Sequence, residues 1–230
     1  MRILVINGSP KKEASDTMKI TRTFLEGMND ISKQKVKIIH VIEKDIKYCK
    51  GCFICMHNGG TCVYNDDMKK ILSDILESKL ILFSFPLYAY GMPAPLKALI
   101  DRLLPLTNMM MRSNGERYEH IEQQDLSHLN YMMISGCGFP NSRKNFEPAV
   151  QAFKNAFSEN STIITMPENP MFGSTAADIV TKPRLGLIHE AGRQFVQNGK
   201  IEKELLEEIC SPMIPEEEYV RIVNSSSVAK

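Results

Sequence analysis

The sequence lacks the features that mark several large functional classes. Its 28 basic residues against 27 acidic ones leave a formal charge of +1 with no long basic run, so no electrostatic case exists for nucleic acid or for an anionic membrane surface. No stretch approaches the roughly 20 apolar residues of a membrane span. An apolar strand pattern begins within the first residues, where a signal peptide would need a longer apolar run, and the expected location is cytoplasmic. The loop G-x-x-x-x-G-K-[ST], which holds a nucleoside triphosphate with magnesium, is missing, and so is G-x-G-x-x-G, which lets backbone approach a dinucleotide pyrophosphate. There is no G-x-S-x-G elbow and no Ser-His-Asp order, so no side chain is expected to act as a conventional catalytic acid or base. The 5 histidines, His40, His57, His120, His128 and His189, form no ligand spacing. His57 alone lies beside a group of cysteines, where it is an alternative ligand to test.

What is present begins at the N-terminus. Ile3, Leu4, Val5 and Ile6 form a short apolar run cut off by Gly8, Ser9 and Pro10, the pattern of a strand buried on both faces that enters a tight loop. Lys11, Lys12, Ser15 and Thr17 follow, and then Met18, Ile20, Phe24, Leu25 and Met28 recur at helical spacing. Hydroxyls and cations thus cluster where a strand hands over to a helix, and the free amides and dipole of that helix end favour a phosphate. With both polyphosphate loops missing, the loop is sized for one terminal monophosphate. The plainer alternative is an ordinary strand-to-helix connection capped by Asp16 or Thr17.

The rest of the chain alternates strand and helix patterns. Strands are expected at 36–42, 80–85, 131–135 and 163–166, and helices over the apolar positions Met68 to Leu76, from Pro93 to Leu104, and at 146–157. With 43% hydrophobic content the chain can bury a sizeable core. Five strands alternating with helices predict an α/β fold, a doubly wound parallel sheet of order 2-1-3-4-5 with helices on both faces. A long connection over 105–130 carries Met109, Met110 and Met111, read as core filler or interface in preference to a cofactor contact. The tail from Ala176 to Lys230 reads as helices broken at Pro183, Pro212 and Pro215.

Two further loops follow strand ends, where ligands bind in such sheets. Residues 85–93 set Tyr88 and Tyr90 among turn residues, and Ser135, Gly136, Cys137, Gly138 and Phe139 offer backbone that could approach a ring. The tyrosines could equally cover the sheet end and the glycines serve a turn. The chain has 6 cysteines, which in a cytosolic protein are reduced thiols, metal ligands or redox groups in preference to disulfides.

The segments NGSPKKEASDT, the turn Pro86-Leu87-Tyr88 leading into GMPAPLKALIDRL, and GCFICMHNGGTCVYNDDM resemble the flavodoxin-like, NAD(P)H-dependent FMN reductase family. Within it the chain is most similar to members with a cysteine loop after the second strand, including the iron-sulfur flavoproteins. The resemblance covers about residues 1–140. It implies a flavodoxin-like FMN-binding domain over 1–170 and a helical C-terminal extension over 171–230, packed on its own subunit or swapped between subunits. Ser9, Lys11, Ser15, Asp16 and Thr17 would hold the FMN phosphate through side chains and amides. Pro86, Leu87, Tyr88, Ala89, Gly91 and Met92 would line the isoalloxazine ring, and the loop from Ser135 and Gly136 to Phe139 would close over it.

The implied activity is hydride transfer from NAD(P)H to FMN, followed by reduction of a quinone, a nitro compound or another small-molecule or protein acceptor. A homodimer or homotetramer formed through the helix at 93–104 is implied as well. The alternative is a flavodoxin-like or iron-sulfur flavoprotein electron carrier without a nicotinamide site of its own. Cys49, Cys52, Cys55 and Cys62 are spaced C-x2-C-x2-C-x6-C. Three thiolates within seven residues and a fourth across Gly59 and Gly60 can wrap a [4Fe-4S] cube, as such a loop does in the iron-sulfur flavoproteins. Zinc usually draws two CxxC knuckles from separate segments. Reduced thiols shaping the flavin pocket or a subunit interface remain the second reading.

Overall fold

Alternation along β1 (Arg2–Asn7) decides the layers. Ile3 and Val5 join one buried cluster and Leu4 and Ile6 the other, each at most 1% exposed, because successive strand residues point to opposite faces. The chain continues through α1 (Asp16–Ile31), β2 (Lys35–His40), α2 (Ile54–His57), α3 (Met68–Leu76), β3 (Leu80–Pro86) and α4 (Ala94–Asp101). It then forms β4 (Thr107–Ser113), β5 (Tyr118–Glu122), β6 (Asn130–Gly136), α5 (Glu147–Ala156), β7 (Thr162–Met166), α6 (Asp178–Asn198), α7 (Lys203–Cys210) and α8 (Glu216–Val228). This computed structural model describes residues 1–228 and side chains through Ser225, so the last two residues of the expected tail lie outside the described residues.

The main sheet is parallel, with order β2-β1-β3-β6-β7. That is the expected 2-1-3-4-5, with β6 and β7 as its fourth and fifth strands. Helices α1 and α6 cover one face through Phe24, Met28, Ile188 and Phe195. On the other face α3, α4 and α5 contribute Ile71, Ile75, Leu96, Leu99 and Phe153. The strand order reverses between β1 and β3, which opens a crevice at their carboxyl ends.

Two glycines set the contact between α1 and α6. A Cβ on Gly27 would lie 1.9 Å from the His189 carbonyl oxygen, and one on Gly192 would lie 2.0 Å from the Phe24 carbonyl oxygen. The two helix backbones touch there with no side chain between them.

The 105–130 connection is not irregular: it folds into the antiparallel β4–β5 hairpin. Met109, Met110 and Met111 lie on β4 at 41%, 63% and 62% exposure, so they fill no core. Pro183 does not break a helix either, since α6 runs through it. It sits in the second turn, where its ring removes one bond to the carbonyl of Ile179, a residue 84% exposed whose neighbourhood is open to water. Pro212 and Pro215 do separate α7 from α8. Among the described residues no helix is long and apolar enough to cross a membrane.

Candidate functional site

The carboxyl end of β1 is fixed by a polar residue that ends an apolar strand. Asn7 is fully buried. Its Oδ1 accepts from the Ser9 amide at 2.9 Å, and its Nδ2 donates to the Lys12 carbonyl at 3.1 Å and to His40 Nδ1 at 2.9 Å. An accepting Nδ1 leaves the imidazole proton on Nε2, which faces Glu13 Oε1 at 3.0 Å. Glu13 in turn pairs with Arg22 on α1. Asn7 therefore ties Ser9 and Lys12 of the loop to β2, Glu13 carries the link on to α1, and Lys12 is held in a left-handed conformation with φ of 52°.

At the start of α1 the first helical bond runs from the Lys19 amide to the Ser15 carbonyl at 3.1 Å, and no side chain caps the helix. The amides of Asp16, Thr17 and Met18 lack helical acceptors. The Thr17 hydroxyl is fully buried and unpaired. Burial pushes the Asp16 carboxyl above its ordinary value, with Lys11 and Lys19 opposing that shift. This carboxylate lies beside Gly173, where a Cβ would come within 2.7 Å of Oδ1. A carboxylate is no ligand for a phosphate, so Asp16 can serve an anion only through its amide.

Leu87 donates its amide to the Gly136 carbonyl at 2.8 Å, joining the second and third loops. Beyond it, Tyr88 and Gly91 exchange backbone hydrogen bonds at 3.0 and 2.9 Å. The two residues between them, Ala89 and Tyr90, have φ of 47° and 62°, a two-residue turn normally given to glycine or asparagine. Holding two ordinary residues there costs roughly 1–2 kcal/mol each. Tyr90 stacks on Phe139 with centroids 5.9 Å apart and planes 9° from parallel, so the strained turn is braced against the third loop.

These loops enclose one cleft. Ser9, Lys11, Ser15, Asp16 and Thr17 line one side of it, and Pro86, Leu87, Tyr88 and Gly136 another. Ala89 and Gly91 form the turn and do not line it, Met92 packs on the core, and Ser135 is fully buried with its hydroxyl unpaired. Cys137 and Gly138 also line the cleft, as do Asn169 and Pro170 after β7. The last two carry no motif by which the sequence could announce them. The cavity holds about 170 Å³, less than the roughly 300–1,000 Å³ of sites that enclose a small ligand, so a nucleotide would be covered only in part. Tyr88 lines it while 48% exposed, and the stacked Tyr90 and Phe139 next to the lining residues Tyr88 and Gly138 stay 52% and 41% exposed.

The four cysteines of the C-x2-C-x2-C-x6-C loop line a second cavity together with Arg102 and Tyr64. Arg102 and Asp66 form a buried pair, with side chains 2% and 0% exposed. The guanidinium also donates to the Lys47 carbonyl at 2.6 Å and to Cys62 Sγ at 3.4 Å, and it lies 5.0 Å from the Tyr64 ring centroid. Burial pushes the Cys55 thiol up, and the neighbouring Cys62, Cys52 and Cys49 add to that shift. No disulfide joins the cysteines. Among the described residues no three His, Cys, Asp or Glu side chains are grouped to hold a single metal ion, and His57 is absent from the cavity lining.

A family model described as flavodoxin-like fold matches residues 1–174. An iron-sulfur flavoprotein of Archaeoglobus fulgidus is 33% identical over 105 residues, 46% of this chain and 46% of that protein. One from Methanocaldococcus jannaschii is 32% identical over 108 residues, 46% of this chain and 53% of its own length. The chain thus spans about half the length of these curated relatives. An azoreductase of Bacillus anthracis superposes with a TM-score of 0.61 at 16% identity, covering 85% of this chain and all of that one. An NAD(P)H:quinone oxidoreductase of Methanothermobacter marburgensis superposes at 0.58 and 14% identity, covering 85% and 98%. At these identities the superpositions speak for the fold alone.

Proposed function

Since the chain belongs to the flavodoxin-like fold family, we propose that it is an FMN-dependent oxidoreductase that takes hydride from NAD(P)H and reduces a quinone, a nitro compound or another small-molecule or protein acceptor. The observation that carries this reading is the Thr17 hydroxyl, fully buried and unpaired beside the free amides of α1. A buried hydroxyl without a partner is costly, and a terminal phosphate would satisfy it together with those amides. The side chains of Lys11 and Ser15, which line the same cleft, and the amide of Asp16 would add to that hold. Iron-sulfur flavoprotein relatives favour a flavin over other phosphate ligands, and a single phosphate cradle favours FMN.

When bound, FMN would supply the hydride and electron chemistry. The chain would contribute position and exposure. Pro86, Leu87 and Gly136 give a wall of backbone and apolar surface, and the exposed tyrosines at the rim leave one side open to a nicotinamide and an acceptor. Ala89, Gly91, Met92 and Ser135 would act behind that wall, shaping the turn and the strand end. In this reading the protein works in the cytoplasm as a homodimer or homotetramer, with the 171–230 extension as an addition to a 1–170 FMN domain.

A second reading, electron relay to a one-electron partner, rests on Cys49, Cys52, Cys55 and Cys62 lining one cavity and on the name those relatives carry. Four thiols lining one cavity match a [4Fe-4S] cluster in donor type and number, and such a cluster would draw them together and supply one-electron transfer. Purification without oxygen, followed by the visible spectrum and by iron and acid-labile sulfide analysis, tests both readings. Yellow protein supports the flavin assignment, and its bleaching by NADH or NADPH supports the reductase. Added brown colour with iron and sulfide, lost in Cys52→Ala, supports the relay; a colourless protein that takes up no FMN overturns the proposal.

A further inference from the structure

We propose that Asn169 is a flavin-binding residue whose carboxamide oxygen accepts from the hydroxylated chain or the ring N–H of FMN, and not from its phosphate. This deepens the flavin reading above and rests on it. Asn169 follows β7, a strand end that none of the three loop motifs includes. It is 7% exposed, it lines the cleft with Thr17 and Gly136, and its Oδ1 has no partner.

The residue is held there from several sides. Its amide donates to the Cys137 carbonyl at 2.9 Å. Glu168 before it is left-handed with φ of 54°, and the Glu168 carboxylate accepts from the Met213 amide at 2.5 Å. The turn after it reaches α1, where Lys19 Nζ donates to the Phe172 carbonyl at 2.9 Å. Space for the carboxamide exists because residue 136 is glycine. A Cβ there would lie 2.3 Å from Asn169 Cγ and 2.4 Å from Oδ1.

The chemistry of the unpaired atom decides which part of the ligand it meets. An amide oxygen only accepts hydrogen bonds, and a phosphate dianion offers acceptors only, so the two do not pair. The ribityl hydroxyls and the ring N–H are donors. The Thr17 hydroxyl can donate, and it sits at the helix amides that favour an anion. The two unpaired groups therefore divide the ligand, with Thr17 at the phosphate and Asn169 at the remainder.

Fluorescence titration of flavin-free protein with FMN and, separately, with riboflavin tests the division. Asn169→Ala should raise both dissociation constants by the same factor, about 3- to 10-fold for one neutral hydrogen bond. Thr17→Ala should raise the constant for FMN alone. Asn169→Asp keeps the shape and an accepting oxygen, so its riboflavin affinity should stay within about threefold of wild type; this variant decides the matter if the alanine protein does not fold. Asn169→Ala with wild-type affinity for both flavins, or weakened toward FMN alone, overturns the inference while the flavin reading stands. So does an Asn169→Asp protein that loses riboflavin affinity. If wild-type protein binds neither flavin, the flavin reading falls and this inference with it.

Discussion

Arg102→Met removes the guanidinium that pins the cysteine loop to the end of α4. In the wild-type protein Arg102 meets Asp66 in two parallel bonds of 2.7 and 3.0 Å and also holds the Lys47 carbonyl. Methionine is long and apolar, so the replacement leaves little empty space. What it leaves is the Asp66 carboxylate, out of solvent and without its counter-charge, though the amides of Lys47 and Met68 still reach it at 3.1 and 3.2 Å. Removing one partner of a buried pair costs about 3–5 kcal/mol. The two retained amide bonds put this case near the lower end, about 3 kcal/mol, a large part of a total stability of roughly 5–15 kcal/mol.

The pH dependence has a definite sign. Burial opposes ionisation of Asp66, but the Arg102 bonds and the Lys47 and Met68 amides outweigh it and hold the carboxyl below its ordinary 3.8. A depressed carboxylate stabilises the fold above that value, and the contribution is lost as pH falls through the folded-state value. The gap between wild type and Arg102→Met should therefore be full at neutral pH and narrow below 3.8. Urea unfolding at both pH values measures it. The double variant Arg102→Met with Asp66→Leu, which leaves no charge behind, should recover most of the loss. A single variant within 1 kcal/mol of wild type at neutral pH, or a double variant no better than the single, would refute the reasoning.

Thr17→Ala should raise the FMN dissociation constant roughly tenfold to a hundredfold, as expected for one hydrogen bond to a charged group; flavin titration checks it, and unchanged affinity removes Thr17 from the site. Gly27→Ala must push α6 off α1, because its Cβ would lie 1.9 Å from a backbone oxygen. A loss of about 1–3 kcal/mol or more should appear in thermal unfolding. Burial raises the Glu168 carboxyl above its ordinary 4.5 despite the opposing Met213 and Ile214 amides and Arg184. Its charged form is thus a penalty that is present above the raised value and relieved as pH falls toward 4.5. Glu168→Gln should melt higher than wild type in alkaline buffer, and the difference should shrink toward pH 4.5; a constant difference across that range would contradict this account.

The layers of the fold were legible because they depend on local periodicity. Ile3 to Ile6 announce a strand buried on both faces, and the alternation of such runs with amphipathic helices leaves few strand orders. The loop from Ser9 to Thr17 and the Tyr88 turn, which line one cleft, were legible for the same reason: each is one short segment at a strand end. Residues whose partners come from far along the chain were not. Asn7 works through His40, 33 positions away, Glu168 through Met213, 45 away, and Arg102 through Asp66, 36 away. Nothing near any of them in sequence marks the partner. Asn169 was invisible because β7 ends without glycine-rich or hydroxyl-rich punctuation. The cysteine spacing was plain, while the buried arginine that holds the loop was not. Met109 to Met111 misled as core filler, though not as an interface, because apolar residues on a two-stranded hairpin need not face a core, and Pro183 misled because a proline early in a helix removes only one hydrogen bond.

The most direct test of the central claim is anaerobic addition of NADH or NADPH to purified protein reconstituted with FMN, followed through the yellow flavin absorption. The account predicts bleaching by at least one of the two nucleotides at substoichiometric protein, and return of the colour when a quinone or nitro compound is admitted. Protein that binds FMN tightly and keeps its colour with both nucleotides would contradict it and leave an electron carrier in its place.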